Sequence, residues 1–300
     1  MSIVYKLKNP IQRNKKFIEN FFIKKGLESL ITLSKQKQLS VNEIVHREPY
    51  MPDLEDLYNL YQYVLINKRT TIFEFGSGWS TLMFSLALTE LKNKFFDETK
   101  LLRRNNKFEL FVVENSKKYL NISKNRVKKF NKYLNIKKPI KVNYHFSDVE
   151  MTTFDNKICT QYKKLPLCNP DFIYLDGPDQ FNVKKDIQGI SIRHKDMMPM
   201  VCDILKFENF YTPGTIIVCD GRAANVTFLK NQFKRKWKYL NNKKIDQHIF
   251  CLVDPVLGKY NKLQLEFYSK KKIIDLIELS KRYGKYMFFL GSDLADYIKS

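Results

Sequence analysis

Short apolar, β-branched segments alternate with helical patterns through the middle of this 300-residue chain. Continuous apolar strands separated by helices are typical of a parallel sheet that is covered on both faces. The chain therefore predicts an α/β fold: a doubly wound, mostly parallel seven-stranded sheet with a C-terminal antiparallel hairpin, plus N-terminal helices and a C-terminal extension. The segments predicted as strands are 70–75 (TTIFEF), 108–113 (FELFVV), 140–146 (IKVNYHF), 171–175 (DFIYL), 215–219 (TIIVC), 237–240 and 248–253.

The regions flanking this alternation predict three parts of the chain. Residues 1–50 form a basic helical extension, with a helix over about 17–39 that packs on the core through scattered apolar positions. Residues 51–255 form the sheet domain, and residues 256–300 form an extension packed on it, with a helix over about 271–283.

Three long connections have no recognisable structural pattern: 92–107, 147–170 and 178–200. Ligands of open α/β sheets bind outside the carboxyl ends of the strands, near the point where the strand order reverses. Long loops at that edge commonly shape a substrate pocket. We therefore expect acceptor specificity to reside in these three segments.

The chain is strongly basic, with 53 Lys+Arg against 31 Asp+Glu and a net charge of +22. An excess of basic residues can indicate a nucleic-acid or membrane partner. However, only ten of the 53 basic residues are arginine, and specific recognition of phosphates and bases favours the bidentate guanidinium of arginine. The densest run, 117–141, carries ten Lys/Arg and no acid along an apolar stripe. A solvated helix face is therefore favoured there, and a docking surface for RNA, a membrane or an acidic polymer is the alternative.

Nothing in the sequence predicts a membrane span, an exported protein or a disulfide framework. No run approaches eighteen apolar residues, and the first residues lack an apolar signal core. The five cysteines are scattered, odd in number and without a C-x-x-C pair. We expect a cytoplasmic protein.

The turn after the first predicted strand is the most informative motif. Gly76-Ser77-Gly78 follows Glu74 and leads directly into a helical pattern. Two glycines permit a tight turn and a close approach of backbone to ligand, and the free N–H groups of a helix start favour a polar or anionic group. Thr81 stands where a dinucleotide fingerprint needs its third glycine, and no phosphate-loop motif is present.

With Glu114 ending the second predicted strand, this pattern resembles the class I S-adenosylmethionine-dependent methyltransferases over about residues 50–255. The resemblance implies a Rossmann-like methyltransferase domain whose glycine loop passes under the methionine part of the cofactor, and whose strand-end acid binds the ribose hydroxyls. The cofactor-binding candidates are therefore Glu74, Gly76, Ser77, Gly78, Glu114 and, for the adenine amine, Asp148. Glu74 could instead be a buried acid that binds backbone amides of the loop and fixes its shape, and Asp148 an ordinary loop or capping aspartate.

Two aspartates follow the fourth and fifth predicted strands. Asp176 lies in Tyr174-Leu175-Asp176-Gly177-Pro178-Asp179, and Asp220 lies in Cys219-Asp220-Gly221-Arg222. Neighbouring parallel strands end at one edge, so we expect both carboxylates in one cleft. They could hold a divalent cation, one could act as a general base, or the loops could be structural. The family's metal-dependent members have an Asn after the second acid, where this chain has Gly221.

Arg222 and Asp179, in the same two loops, are the candidate substrate-binding residues. Arg222 could bind an acidic group of a substrate, or pair with Asp220 and hold the loop. The sequence thus predicts an S-adenosylmethionine-dependent methyltransferase acting on oxygen of a small-molecule or glycan acceptor. The alternatives are a methyltransferase-like nucleic-acid-binding module and another nucleotide- or sugar-using α/β enzyme.

Overall fold

A computed structural model describes residues 4–36, 50–194 and 196–269 of the chain. Its main feature is a seven-stranded sheet with the order β3-β2-β1-β6-β8-β10-β9. The strands of this sheet are β1 (Thr71–Phe75), β2 (Glu109–Glu114), β3 (Lys141–Phe146), β6 (Phe172–Leu175), β8 (Ile216–Asp220), β9 (Trp237–Asn242) and β10 (Gln247–Leu252). A second sheet, in the order β5-β4-β7, contains β4 (Val149–Phe154), β5 (Lys157–Tyr162) and β7 (Val183–Lys184).

Helices connect and cover these strands. The α-helices are α1 (Lys15–Lys24), α2 (Glu28–Ser34), α3 (Leu54–Ile66), α4 (Trp79–Phe95), α5 (Lys117–Tyr133), α6 (Asp203–Lys206), α7 (Ala223–Gln232) and α8 (Gly258–Ser269). Two short 3-10 helices lie at Glu98–Leu101 and Glu208–Phe210. None of the helices in the described part of the chain is long and apolar enough to cross a membrane.

The predicted sheet is confirmed. Strand β1 pairs in parallel with β2 on one side and with β6 on the other, and β10 is antiparallel to both β8 and β9. The chain fills one side of β1 first and then the other, so the strand order reverses between β1 and β6. That reversal opens a crevice at the carboxyl ends of the strands, where the predicted site residues lie.

Both faces of the sheet are buried, as the apolar strands require. Successive side chains of β1 point to opposite faces of the sheet, so Ile72 and Phe73 belong to two different hydrophobic clusters. The cluster containing Ile72 includes residues of α1 to α5 and α8, among them Phe22 and Leu30. The cluster containing Phe73 is closed by the smaller sheet and by α7.

The prediction that 147–170 is a loop is wrong for its first half. This stretch forms the β4–β5 hairpin, whose register runs from Val149 opposite Tyr162 to Phe154 opposite Lys157. Asp155 and Asn156 make the two-residue turn, both with positive φ, at 47° and 60°. Such a turn matches the twist of a hairpin and favours Asp and Asn. The turn residues between two alternating segments were therefore a readable signal.

The predicted insertions 92–107 and 178–200 also contain regular structure. Helix α4 continues to Phe95 and is followed by the 3-10 helix Glu98–Leu101, while β7 (Val183–Lys184) pairs with β4. These segments are partly helical or sheet-bound rather than wholly irregular loops.

The predicted N-terminal helix over 17–39 is two helices in its described part, 17–36, and residues 37–39 lie outside the described residues. The break falls at Gly26, where φ is +69°, a left-handed conformation that favours glycine and ends α1. Leu27 and Leu30 are fully buried beyond it. The helix expected over 271–283 lies outside the described residues, and the three-part division of the chain stays a prediction.

Candidate functional site

Gly76 is fixed by a close backbone contact at the crevice. Its φ is +97°, and its N–H donates to the Val113 carbonyl of β2 at 2.9 Å. A Cβ placed on Gly76 would lie 2.9 Å from the Gly177 nitrogen. The loops after β1 and β6 therefore touch through their backbones, and only glycine fits at this contact.

Gly78 faces free space instead. A Cβ on it would meet only the Ser80 hydroxyl, at 3.6 Å. Gly78 is the N-terminal cap of α4, and its N–H donates to the Thr81 hydroxyl at 3.2 Å. The space beside Gly78 is thus open to a ligand, at the positive end of a helix.

Glu74 lies beneath this loop rather than at its surface. Its carboxylate is fully buried and accepts hydrogen bonds from the hydroxyls of Ser80, at 2.5 Å, and Thr81, at 2.7 Å. Burial raises the pKa of Glu74 to about 8, although these two hydrogen bonds act to lower it. This geometry agrees with the alternative left open by the sequence, a buried acid that fixes the loop, with hydroxyls rather than backbone amides as donors.

Glu114 ends β2 beside the same loop. It is 4% exposed, and its two oxygens accept from the Ser77 hydroxyl and the Ser116 N–H, both at 2.9 Å. Burial raises its pKa to about 7, although these hydrogen bonds oppose the shift. The strand end thus holds a carboxylate against the glycine turn, and its role in binding ribose hydroxyls stays a prediction.

Asp148 follows β3 at the same edge of the sheet. Asp148 is half-buried, and its backbone carbonyl accepts a hydrogen bond from the Lys163 N–H at 2.9 Å. Because β3 pairs with β2 up to Phe146 opposite Glu114, Asp148 lies two residues beyond the strand that neighbours Glu114. Its adenine-binding role stays a prediction.

Asp176 follows β6, and its side chain is 49% exposed. Desolvation by the surrounding loops raises the pKa of Asp176, and the nearby Arg222 guanidinium opposes this shift. Arg222 Nη2 donates to the carbonyls of Asp176 at 2.6 Å and Pro178 at 3.2 Å, and its Nε lies 3.8 Å from the Asp176 carboxylate. Arg222 therefore holds the loop after β6, as one of the two alternatives has it, but its ionic partner is Asp176 rather than Asp220.

Asp220 belongs to a carboxyl pair that the sequence did not suggest. It accepts from the Tyr174 hydroxyl at 3.0 Å. Asp56, in the first turn of α3, is near enough for each carboxyl to shift the pKa of the other. Burial, followed by the charge of Asp176, raises the pKa of Asp220 to about 7. Burial, together with the charge of Asp220, raises the pKa of Asp56 well above its usual value.

The residue types near Asp176 and Asp220 do not assemble a metal cage. Within residues 4–36, 50–194 and 196–269, no group of three or more His, Cys, Asp or Glu side chains is arranged to hold a metal ion. Asn225, the amide nearest in sequence to Asp220, is 1% exposed and bonds the backbone of Val201 with both of its amide atoms. The divalent cation stays a prediction without a ligand set in the described chain.

Asp179 is held within its own loop. Its carboxylate accepts from the N–H of Phe181 at 3.3 Å and from the amide of Asn182, and its own N–H donates to the Asn115 side chain at 3.1 Å. Asn115 follows Glu114 directly, so this contact ties the loop after β6 to the end of β2. The substrate-binding role of Asp179 stays a prediction.

Tyr162 also reaches the crevice without having been expected there. A Cβ on Gly177 would lie 2.8 Å from its hydroxyl, which is buried and has no hydrogen-bond partner. Tyr162 lies in β5, and its position was not predicted because the β4–β5 hairpin was expected to be a loop. Asp56 was missed because its site depends on packing between α3 and residues more than 160 positions away, which no local pattern reveals.

Two adjoining cavities open beside this edge. One, of about 290 Å³, lies between the β4–β5 hairpin, α7 and residues 190–192 and 196–200. The other, of about 260 Å³, is lined by residues 198–199 and 221–225, Arg222 among them. Both include Met198 and Ala224 in their walls.

No protein-family model matches the sequence, and no curated protein matches it. Among solved structures, the chain is similar to an O-methyltransferase from Bacillus cereus in complex with SAH, at 14% identity over 81% of this chain and 93% of that one, with a TM-score of 0.34. It is also similar to the O-methyltransferase TomG from Streptomyces achromogenes in complex with SAM, at 12% identity over 81% of this chain and 99% of that one, with a TM-score of 0.37. Likenesses this distant do not transfer an activity, and the fold described above rests on its own strand order.

Proposed function

We propose that the chain is an S-adenosylmethionine-dependent methyltransferase that methylates an oxygen of a small-molecule or glycan acceptor. The observation that carries the proposal is the buried Glu114 carboxylate, held 2.9 Å from the Ser77 hydroxyl beside the open space at Gly78. A carboxylate accepts hydrogen bonds from two neighbouring hydroxyls well. Ribose hydroxyls are therefore a suitable ligand for this position.

The residues at the crevice fit the cofactor in charge as well as in shape. When bound, S-adenosylmethionine supplies an electrophilic methyl group on a sulfonium cation. Carboxyl groups of Glu114, Asp176 and Asp220 surround the carboxyl edge of the sheet, and acids near a cation stabilise it electrostatically. Ser77 and Gly78 would contact the cofactor by backbone and hydroxyl, while Glu74 would keep their turn in shape from below.

The acceptor side is supplied by the loops after β6 and β8. Asp176 is exposed enough to accept a proton from an acceptor hydroxyl, and Arg222 fixes the loop that carries it. The Asp56–Asp220 pair, in which Asp220 also accepts from the Tyr174 hydroxyl, would keep a proton nearby and limit the negative charge of the cleft. General base catalysis of this kind needs a carboxylate within hydrogen-bond reach of the hydroxyl.

Calorimetric titration with S-adenosylmethionine and S-adenosylhomocysteine tests the proposal. We expect wild type and Glu109→Gln to bind both compounds, and Glu114→Gln to bind at least tenfold more weakly. Glu109 is a matched control, because it lies on the same strand at its opposite end. Failure of the wild type to bind either compound at millimolar concentration would refute the proposal.

A further inference from the structure

The 290 Å³ cavity near the candidate site is lined almost entirely by apolar side chains. Of the ten described residues in its wall, nine carry no charge. Four are methionines, half of the eight in the chain. Methionine side chains are polarisable and adapt to the shape of an aromatic ring. The apolar wall is formed by Met151, Met197, Met198, Met200, Ile190 and Ile192.

The walls of this cavity are held in place by hydrogen bonds. The Thr160 N–H of β5 donates to the Met200 carbonyl at 2.9 Å, and the Cys202 N–H donates to the Thr160 carbonyl at 3.0 Å. Asn225 of α7 accepts from the Val201 N–H at 3.1 Å. The segment that carries the methionines is thus fastened to both the hairpin and α7, and the cavity is formed before any ligand enters.

Apolar side chains are also exposed around this cavity. Ile190 is 40% exposed, Met197 38% and Met198 42%. Exposed large apolar residues that occur singly need no explanation. These three residues belong to one short segment and line one cavity, so an apolar ligand in the cavity would cover all three.

The second cavity joins this apolar wall to Arg222, whose guanidinium has an N–H group without a hydrogen-bond acceptor. Arg222 lines the 260 Å³ cavity, and its Nε and Nη1 are buried without a hydrogen-bond partner. Its Nη2 is the nitrogen that binds the loop carbonyls. Nε is ion-paired with the Asp176 carboxylate at 3.8 Å, whereas Nη1 has no acceptor. Leaving a guanidinium N–H group buried and unpaired is costly, so Nη1 favours a ligand that brings an oxygen acceptor.

We propose that the methyl acceptor is a hydroxylated aromatic molecule whose ring system enters the methionine-lined cavity and whose adjacent carbonyl or carboxylate oxygen binds Arg222. This inference rests on the proposed function and narrows its acceptor away from glycans. An apolar cavity of roughly 150 Å³ is enough to bind benzene, so 290 Å³ accommodates a two-ring system. Few polar contacts then set the ligand's orientation.

The position of Arg222 also explains how such a molecule would present its hydroxyl. Arg222 Nε lies 3.8 Å from the Asp176 carboxylate. An oxygen bound to Arg222 therefore brings a hydroxyl on the neighbouring ring carbon close to Asp176. The hydroxyl proton passes to the Asp176 carboxylate, and its oxygen forms the new bond to the cofactor's methyl carbon as the bond from that carbon to sulfur breaks. The products are the methyl ether, S-adenosylhomocysteine and a protonated Asp176.

The test is calorimetric titration of the full chain, with saturating S-adenosylhomocysteine, using three probes: 1-hydroxy-2-naphthoate, 1-naphthol and methyl glucoside. We expect wild type to bind the naphthoate at least tenfold more tightly than 1-naphthol and not to bind the glucoside. Arg222→Met should remove the preference for the naphthoate, and Arg222→Lys should restore part of it. Met198→Glu should weaken both aromatic probes at least tenfold.

Leu257→Glu is the matched control, because Leu257 is 57% exposed, lines neither cavity and lies outside the three segments expected to carry acceptor specificity. It should leave all three titrations unchanged. If wild type binds S-adenosylhomocysteine but neither aromatic probe, or if Met198→Glu binds both probes as wild type does, the inference is wrong and the proposed function stands. If S-adenosylhomocysteine itself does not bind, the proposed function is refuted and this inference falls with it.

Discussion

Strand β6 has an aspartate at each end, and the two have opposite environments. Asp171, just before the strand, is fully buried and accepts hydrogen bonds from the N–H groups of Thr70 and Thr71 at 2.9 Å and from the Tyr268 hydroxyl at 2.6 Å. Burial alone would raise its pKa, but Arg104, Arg69 and the hydrogen bonds hold the pKa of Asp171 below its usual value.

Asp176, just after the strand, is half-exposed, and desolvation raises its pKa despite Arg222. Other carboxyls at that end, Glu114 and Asp220, also have raised pKa values, of about 7. Raised carboxyl pKa values concentrated in a cleft are typical of functional sites. The amino end of the strand thus has its charge satisfied by the fold, whereas the carboxyl end has charges left for a ligand.

The largest expected effect is on stability at the amino end. Asp171→Ala leaves Arg69 and Arg104 without their buried partner and several donors without an acceptor, so it should lower the free energy of unfolding by about 3–5 kcal/mol. Urea unfolding measures this. Asp97→Ala, at an aspartate 87% exposed and paired with Lys100, should change it by less than about 1 kcal/mol. Equal effects of the two substitutions would contradict the contrast between the ends.

The next test separates two glycines of one turn. Gly78→Arg should lower affinity for S-adenosylhomocysteine at least a hundredfold, because its side chain enters the open space beside the loop, while the free energy of unfolding stays within about 0.5 kcal/mol of wild type. Gly76→Ala should instead destabilise the fold by roughly 1–3 kcal/mol, since φ is +97° and the new Cβ would meet the Gly177 backbone. Calorimetry and urea unfolding of both variants distinguish these outcomes. A stable Gly76→Ala would show that the two loops do not need their close contact.

The sequence predicted the part of this site that follows from strand ends. Asp176, Asp220 and Glu114 each end or follow a strand, and parallel strands bring their carboxyl ends to one edge. Asp56 could not be predicted in this way, because α3 brings it to Asp220 by tertiary packing. The different roles of Gly76 and Gly78 could not be predicted either. Both glycines look alike in the sequence, and only the atoms around them in the structure differ.

A third prediction concerns stability against pH. Glu114 and Glu74 have folded pKa values of about 7 and 8, above the unfolded value of about 4.3. The folded state therefore binds more protons between these values, and the stability from these groups is full below about pH 4.3 and lost as the pH rises through 7 to 8. Because each pKa unit is worth roughly 1.4 kcal/mol and both groups are raised by more than one unit, we expect urea unfolding to show a fall of several kcal/mol between pH 5 and 8. Glu114→Gln should reduce this fall.

The stability that Asp171 contributes changes with pH in the opposite direction, because the pKa of Asp171 is lowered in the folded state. Its stabilisation is present above the unfolded aspartate pKa of about 3.9 and is lost as the pH falls through the folded pKa. The two ends of the sheet should thus lose stability in opposite directions of pH. A wild-type stability that stays flat from pH 5 to 8 would contradict the raised pKa values at the carboxyl end.

The smallest expected effect is on cofactor affinity against pH. Glu114 ionises near pH 7, and its carboxylate form accepts hydroxyl hydrogen bonds with both oxygens, whereas the protonated form uses one oxygen as a donor. The affinity for S-adenosylhomocysteine should therefore rise roughly three- to tenfold from pH 6 to 8, and this slope should disappear in Glu114→Gln. Glu109→Gln should keep the wild-type slope. A slope that persists in Glu114→Gln would assign the ionisation to another carboxyl of the crevice, with Asp220 the first to replace by Asn, because its pKa is also raised to about 7.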